Sequence, residues 1–280
     1  MDWGKKNRMS RIIKPKTGRT VMLAVDHGYF LGPTTGLEDA RAAIEPLLPY
    51  ADCLMPTRGV LRNSVMAEIE TPIVLRVSGG YSIIGQDFTK ETITTSVEDA
   101  IRLNAAGVAF SIHVGGKYEA DTLKDFADLV DEAERYGIPA LAVTAVGKDM
   151  VRDARYLGLA CRIGAELGAS FVKTYYCENF REVVEGCPVP CVIAGGKKIP
   201  EKEALELAYN AISEGAVGVD MGRNIFQSED PVAMIKAVRA VVHEDATPDE
   251  ALKLFNSLKS KTAKPKKVTA NQGEQDSAKV

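Results

Sequence analysis

The residue with the clearest chemical potential in this chain is Lys173, which lies inside a β-branched and aromatic run at residues 170–176. Such a run is typical of a buried strand. Desolvation of a buried lysine favours its neutral amine, and a neutral amine is a nucleophile toward carbonyl carbon. The pattern therefore predicts a lysine that forms a Schiff base. However, a lysine in such a run is more commonly a strand-end residue that extends its amine into water, and the run alone does not distinguish the two arrangements.

Proton-transferring groups stand at the ends of other apolar runs. Asp26 and His27 close the first run. Asp26 could orient a substrate hydroxyl or shuttle a proton, but an aspartate at this position could also simply form a turn. A catalytic role and a structural role suit His27 equally. We interpret His113, at the end of a later run, as structural. Lys148 is the rival nucleophile, but its polar neighbours predict a charged amine, so it ranks second to Lys173.

Two loops combine glycine with basic residues. Gly195 and Gly196 precede two lysines, and Gly222 precedes Arg223. Glycine lets backbone amides approach an anion closely, and an arginine can donate two parallel hydrogen bonds to a phosphate. Residues 224–227 are short enough to form the small extra helix that often completes such a site. Together, the two loops predict a site for a substrate phosphate.

The remaining candidates are weaker. Arg58 and Arg76 suit either an anionic substrate or ordinary ion pairs. Cys177 has no adjacent base and is interpreted as a packing residue. The five cysteines are scattered, and Cys187 and Cys191 lack a second pair or a nearby histidine. This spacing predicts no metal site and reduced thiols, as in a cytoplasmic protein.

The candidate residues can share one site only if the strands that carry them end beside one another. The chain has eight short apolar runs that could form such strands, and helical patterns separate them. Continuous apolar runs are typical of parallel strands that are covered on both faces. Eight such units in 280 residues favour a closed barrel over an open sheet. Functional residues of that fold follow its strands, as the candidates above do. The predicted strands are residues 21–26, 53–55, 73–77, 108–114, 140–143, 171–173, 191–194 and 217–220.

The chain as a whole predicts one α/β domain. We expect a single (β/α)8 TIM barrel with an N-terminal extension and a C-terminal helix over residues 1–258, and a disordered, flexible tail over residues 259–280. The formal net charge of −3 favours neither nucleic acid nor an anionic membrane as a partner. No apolar run approaches the roughly 20 residues of a membrane span, and no secretory signal is evident, so a cytoplasmic location is expected.

Four segments resemble the class I aldolases of the DeoC/FbaB type, which are TIM barrels that hold phosphorylated ketones on a lysine imine. The similarity runs from about residue 2 to about residue 243, with long similar runs at residues 14–37 and 197–224. The four segments are Ala24-Val25-Asp26-His27-Gly28, Val172-Lys173-Thr174, Ala194-Gly195-Gly196-Lys197 and Gly218-Val219-Asp220-Met221-Gly222-Arg223-Asn224.

The resemblance implies roles for particular residues. Lys173 would form the Schiff base, and Asp26 would be the aspartate of the first strand. From the residues themselves, we expect Asp26 or His27 to pass a proton to the reaction intermediate. Gly195, Gly196, Gly222 and Arg223 would hold the phosphate. Relatives form ring-shaped decamers, so the resemblance also implies a homo-oligomer.

One departure from the family separates its branches. Aldolases and heptulosonate synthases of the family carry a tyrosine general acid after strand five, where this chain reads Thr144-Ala145-Val146-Gly147-Lys148. This difference favours the branch of thiolases that transfer an acetyl group from 3-hydroxy-5-phosphonooxypentane-2,4-dione to coenzyme A, giving acetyl-CoA and dihydroxyacetone phosphate in autoinducer-2 breakdown. Coenzyme A is then a co-substrate, held by Arg58, Lys197, Lys198 or a neighbouring subunit, and no cofactor is bound permanently.

Two alternatives stay open. One is a class I fructose-bisphosphate aldolase or an aminodideoxyheptulosonate synthase that uses the same lysine, which coenzyme A dependence would distinguish. The other, from a different class, is a sugar-phosphate-binding sensor on the same barrel. A sensor has little reason to retain a strand-buried lysine beside two glycine-rich phosphate loops.

Overall fold

The computed structural model describes residues 2–85, 87, 89–144 and 152–259. In this part of the chain, eight parallel strands form one sheet, and each overlaps a predicted apolar run. We number these barrel strands β1 to β8: Thr20–Ala24, Cys53–Met55, Val74–Arg76, Gly107–Ile112, Ala140–Thr144, Phe171–Thr174, Cys191–Ala194 and Gly218–Met221.

The sheet closes because its first and last strands pair. β1 lies between β2 and β8, with Val21 opposite Val219, and the sheet continues through β7, β6, β5 and β4 to β3. The seam between β2 and β3 carries two isolated parallel bridges, from Leu54 to Ile73 and from Thr57 to Arg76. The predicted (β/α)8 TIM barrel is therefore confirmed.

Helices alternate with these strands and cover the outside of the barrel. None of the helices in the described part of the chain has both the length and the apolar character that a membrane span requires. We number them α1 to α12: Trp3–Ile12, Gly28–Leu31, Ala40–Ile44, Arg58–Ser64, Val97–Arg102, Glu119–Arg135, Ala154–Glu166, Phe180–Glu185, Glu201–Ser213, Arg223–Phe226, Pro231–Glu244 and Pro248–Leu258.

Two apolar cores follow from the alternation of side chains along each strand. Residues such as Met22, Leu141 and Phe171 point into the barrel, whereas their outward neighbours pack against the helices. The interior core also includes Ile12 at the end of α1, which is fully buried. α1 begins at the N-cap Asp2, whose side chain accepts a hydrogen bond from the amide of Lys5. The N-terminal extension thus packs against the interior of the barrel.

The structure departs from the sequence expectation in two places. The apolar residues at positions 37, 40, 44, 47 and 48 have helical spacing, which predicts one helix over residues 37–48. The structure instead has the short α3, followed by a 3-10 helix at Glu45–Tyr50, because Pro46 and Pro49 lack the amide hydrogens that a longer α-helix needs. An unpredicted antiparallel hairpin joins Ser78–Gly79 to Thr92–Ile93 directly after β3. The predicted tail lies outside the described residues from position 260 onward.

Candidate active site

The carboxyl ends of the strands carry a ring of inward-facing residues. Side chains two positions apart share a face of a strand, so Lys173 follows the interior residue Phe171, and Arg76 follows Val74. Asp220 lies opposite the interior residue Met22 in the register of β1 and β8. Residues of several separate strands therefore face one space at the barrel mouth.

Lys173 is buried, with 8% of its surface exposed, and its amine meets a carboxylate. The Nζ atom lies 2.7 Å from Oδ2 of Asp220, whose side chain is fully enclosed. Neither oxygen of Asp220 has an aligned hydrogen-bond donor among the described residues, so the contact with Lys173 is chiefly electrostatic. Burial raises the pKa of Asp220, and Lys173 opposes that rise only in part. A buried carboxylate with a raised pKa is a suitable acceptor for the proton of the amine.

A second buried ion pair lies beside the first. Oδ2 of Asp26 accepts a hydrogen bond of 2.8 Å from Nε of Arg76, and both side chains are almost fully enclosed. Burial alone would raise the pKa of Asp26, but Arg76 and then Lys173 outweigh it, so the pKa lies below its ordinary value. Arg76 also donates to Ser111 Oγ at 2.6 Å. Asp26 is thus held ionised and in a fixed orientation.

His27 follows Asp26 and is neutral at physiological pH. Burial lowers the pKa of His27 to about 4, because the effect of Asp26 in the opposite direction is too small to compensate. The Nδ1 atom lies 4.0 Å from Oδ1 of Asp26 and has no hydrogen-bond partner among the described residues. A neutral imidazole with an unpaired nitrogen can accept or relay a proton.

The loops after β7 and β8 form the other side of the mouth. Gly196 has a φ angle of +70°, which favours glycine, and the space beside its Cα is open. A Cβ at Gly222 would overlap the carbonyl oxygen of Ala24 and the ring of His27, so only glycine fits there. Nε of the half-buried Arg223 has no hydrogen-bond partner among the described residues, and burial lowers its pKa. An anion at this point would stabilise the guanidinium.

Asn224 ties the two loops together. Its Nδ2 atom donates to the carbonyl oxygen of Gly195 at 2.6 Å, and its Oδ1 atom accepts from the amide of Ile199 at 2.9 Å. Asn224 is buried and lies in α10, the short helix that was expected at residues 224–227. The relative position of the two glycine loops therefore depends on one side chain.

One pocket of about 140 Å³ joins these features. The seven residues that the sequence singled out line it together, and their roles stay a prediction. Aromatic side chains from the segments after β1 and β3 form its far wall, where Tyr29, Phe30 and Tyr81 lie within 6.1 Å of one another by ring centroids. The seven residues are Asp26, His27, Lys173, Gly195, Gly196, Gly222 and Arg223.

The other candidates from the sequence lie elsewhere. Arg58 pairs with Asp99 at 3.0 Å, an ordinary ion pair. His113 and Cys177 are buried and do not line the pocket, and Lys148 falls outside the described residues. In the described part of the chain, no group of three or more histidine, cysteine, aspartate or glutamate residues is placed to hold a metal ion.

Sequence reasoning missed several lining residues. Asp220 lies two residues before Gly222, in the segment of residues 218–224 that resembles the aldolases. Its position inside an apolar run could have indicated a functional role, because a strand seldom buries a carboxylate without a partner. For Arg76, the sequence left open whether it binds an anionic substrate or forms an ion pair, and the structure pairs it with Asp26. Nothing in the pattern around Tyr29 and Tyr81 indicated that they would share a wall.

Comparison with known proteins reveals close relatives. A model of the family described as DeoC/LacD family aldolase matches residues 20–228. A protein of Photorhabdus laumondii named 3-hydroxy-5-phosphonooxypentane-2,4-dione thiolase is 56% identical over 260 residues, which are 92% of this chain and 89% of that protein.

Solved structures support the same fold. An archaeal fructose 1,6-bisphosphate aldolase is 25% identical, with a TM-score of 0.76 over 86% of this chain and 99% of its own. A Schiff-base-forming fructose-1,6-bisphosphate aldolase is 24% identical, with a TM-score of 0.76 over 85% of this chain and 99% of its own. The latter likeness shows the fold alone.

Proposed function

This chain belongs to the DeoC/LacD family of aldolases, and from that premise we propose that it is a Schiff-base-forming thiolase. It would transfer an acetyl group from 3-hydroxy-5-phosphonooxypentane-2,4-dione to coenzyme A. The observation that carries this proposal is the buried amine of Lys173, 2.7 Å from Asp220, in the same pocket as the glycine loops. The name of the 56% identical relative supports the choice of substrate.

Binding begins with the phosphate. Gly195 and Gly222 lack a side chain, which lets their loops pack closely against Met221 and Ala24. The space beside Gly196 is open to an anion, and Arg223 supplies a donor that has no partner among the described residues. A phosphate held there directs the adjacent ketone carbon toward Lys173, which belongs to the strand next to β7. Such orientation converts the attack of the amine into an intramolecular step.

The lysine then forms the imine. Asp220 takes a proton from Nζ, and the neutral amine attacks the ketone carbon next to the phosphate-bearing carbon. Asp220 then returns the proton to the hydroxyl of the carbinolamine, which leaves as water. The resulting iminium is an electron sink beside the carbon–carbon bond that must break. Ionised Asp26, fixed by Arg76, is suited to orienting the substrate hydroxyl.

Acetyl transfer completes the reaction. The sulfur of coenzyme A forms a bond to the acetyl carbonyl carbon, and the bond from that carbon to the hydroxyl-bearing carbon breaks, its electrons moving into the iminium. The proton that the thiol loses returns to the enamine carbon by way of His27 and Asp26. Hydrolysis of the imine releases dihydroxyacetone phosphate and restores Lys173.

Borohydride trapping tests this function. Reduction in the presence of the phosphorylated diketone should add the reduced product to Lys173, as located by mass spectrometry of peptides. A Lys173→Ala variant should lose the adduct and acetyl-CoA formation together, and Lys202→Ala, which changes an exposed lysine of α9, should retain both. Trapping that persists in Lys173→Ala would refute the assignment.

Coenzyme A dependence separates the alternatives. An aldolase would cleave fructose 1,6-bisphosphate without any thiol, and the 25% identical archaeal aldolase gives that alternative its support. A sensor would bind a sugar phosphate and turn over neither substrate. The thiolase proposal therefore requires that acetyl-CoA form only when both the diketone and coenzyme A are present.

We further propose that the chain works in the cytoplasm as a homo-oligomer. The decamer implied by the family resemblance would give about ten times the monomer mass of 30.2 kDa in native mass spectrometry. A monomer under assay conditions would exclude it.

A further inference from the structure

A second groove opens beside the reaction pocket. It has a volume of about 520 Å³, and its lining includes Tyr29, Tyr81, Ser82 and Lys90. Tyr29 and Tyr81 also line the reaction pocket. The two spaces therefore share the aromatic wall at the barrel mouth.

The groove lies across the mouth from the phosphate loops. Its residues follow β1 and β3, whereas the phosphate loops follow β7 and β8. Since β3 stands four places along the eight-stranded sheet from β7, the barrel places these two loops on opposite sides. A ketone phosphate anchored at Arg223 and bound to Lys173 would extend its acetyl end toward this groove.

The wall of the groove is built into the fold. The amide of Ile83 donates to the carbonyl oxygen of Phe30 at 3.0 Å, which joins the segment after β3 to α2. The hydroxyl of Tyr29 donates to Glu91 at 2.6 Å, and Glu91 also accepts from Ser78. The same segment exposes Ile84 at 91% of its surface, which leaves apolar area beside the groove.

Lys90 lines this groove together with Asp87, and Lys117 lies just beyond Asp87. The Nζ atoms of Lys90 and Lys117 lie 5.2 Å and 5.1 Å from the centre of the Tyr118 ring. Asp87 lies 4.0 Å from Lys117 Nζ and offsets part of the charge. Two cations held at one ring attract a ligand that carries several negative charges.

We propose that this groove binds coenzyme A, with its phosphates at Lys90 and Lys117 and its thiol arm passing Tyr81 into the reaction pocket. This inference rests on the proposed thiolase function and adds the location of the co-substrate. Two of the residues that the sequence suggested for holding coenzyme A form ion pairs within the protein. Arg58 pairs with Asp99, and Lys198 pairs with Glu201 at 2.8 Å.

Calorimetry with coenzyme A and the full-length protein tests the site without requiring turnover. The double variant Lys90→Ala/Lys117→Ala should bind coenzyme A about tenfold more weakly than the unmodified protein, because two charge contacts are lost. Its affinity for pantetheine, the same thiol arm without the nucleotide phosphates, should not change. Lys124→Ala, an exposed lysine of α6 that pairs with Asp128, is the matched control and should bind coenzyme A normally.

Turnover separates this inference from the proposed function. In acetyl transfer, the double variant should show an about tenfold higher KM for coenzyme A with an unchanged kcat and normal trapping at Lys173. Equal coenzyme A affinity in the double variant and the unmodified protein, or no binding by the unmodified protein, would overturn the site. Coenzyme A binding without any acetyl-CoA formation would overturn the function, and the calorimetric comparison would still decide the site.

Discussion

At the scale of single residues, the pocket depends on two buried ion pairs. Lys173 with Asp220 and Arg76 with Asp26 place four ionisable side chains in a space that is almost closed to solvent. Removing one member of a buried ion pair leaves a charge without a partner, which costs about 3–5 kcal/mol of stability. Each of these two pairs therefore depends on both of its residues. The pairs differ in hydrogen bonding, since Arg76 donates to Asp26, whereas Asp220 has no aligned donor in the part of the chain that the structure describes. Asp220 is therefore the carboxylate better placed to exchange a proton.

Replacing Asp220 by asparagine tests that assignment. We expect Asp220→Asn to lower kcat about 100-fold, because the amine of Lys173 loses its proton acceptor while the size of the side chain is kept. The acid limb of the pH–rate profile should also disappear, since protonation of Asp220, whose pKa is raised by burial, would no longer inactivate the enzyme. Steady-state rates from pH 5 to 9 provide the measurement, with circular dichroism to verify folding. An unchanged acid limb would contradict the role of Asp220.

At the scale of elements, the site is built from segments that follow strands. The barrel brings β7 and β8 side by side, and their loops need a further contact to hold one geometry. Asn224, at the start of α10, provides it through hydrogen bonds to Gly195 and Ile199. A buried amide with both ends paired restricts the loops more than the flexible lysines near them can.

Removing that contact should loosen the phosphate loops. We expect Asn224→Ala to raise KM for the phosphorylated substrate about fivefold and to lower the free energy of unfolding by about 2 kcal/mol, because the buried carbonyl of Gly195 and the half-buried amide of Ile199 lose their partners. Chemical denaturation and steady-state kinetics measure the two effects. Asn210→Ala, an exposed asparagine of α9, should change neither. A KM within experimental error of the unmodified enzyme would show that the loops hold their geometry without Asn224.

At the scale of the whole molecule, the barrel mouth makes the protein sensitive to acid. Burial lowers the pKa of His27 to about 4, below the ordinary value of 6.5. The unfolded chain therefore binds more protons than the folded one between these values. The stability that comes from a neutral His27 is complete above pH 6.5 and is lost as the pH falls toward 4. Asp26, whose pKa is also lowered in the fold, loses its contribution at still lower pH.

The free energy of unfolding should therefore decrease as the pH falls. Between pH 7 and pH 4.5 we expect a decrease of about 2 kcal/mol from His27 alone, measured by urea denaturation at several pH values. In His27→Gln, which cannot titrate, the slope over this interval should become shallower by that amount. Identical slopes in the two proteins would mean that His27 keeps an ordinary pKa in the fold.

Much of the architecture can be predicted from local pattern. Eight apolar runs predict the eight strands, because continuous burial on both faces leaves its mark in each run separately. The position of Lys173 in one run, and of glycines after two others, is likewise visible without coordinates. The shortened α3 and the hairpin after β3 were less accessible, since they depend on prolines and on pairing outside the barrel.

The barrel, the candidate lysine and the two glycine loops can be predicted from sequence, because each depends on a short stretch of neighbouring residues. The groups that meet at the barrel mouth are visible only in three dimensions: Asp220 at Lys173, Arg76 at Asp26, and Asn224 between the loops. Such contacts join residues that are far apart in the chain, and barrel closure sets their distances. Local pattern carries no record of a distance across the barrel, so the partners of the buried charges appear only when the strands are closed.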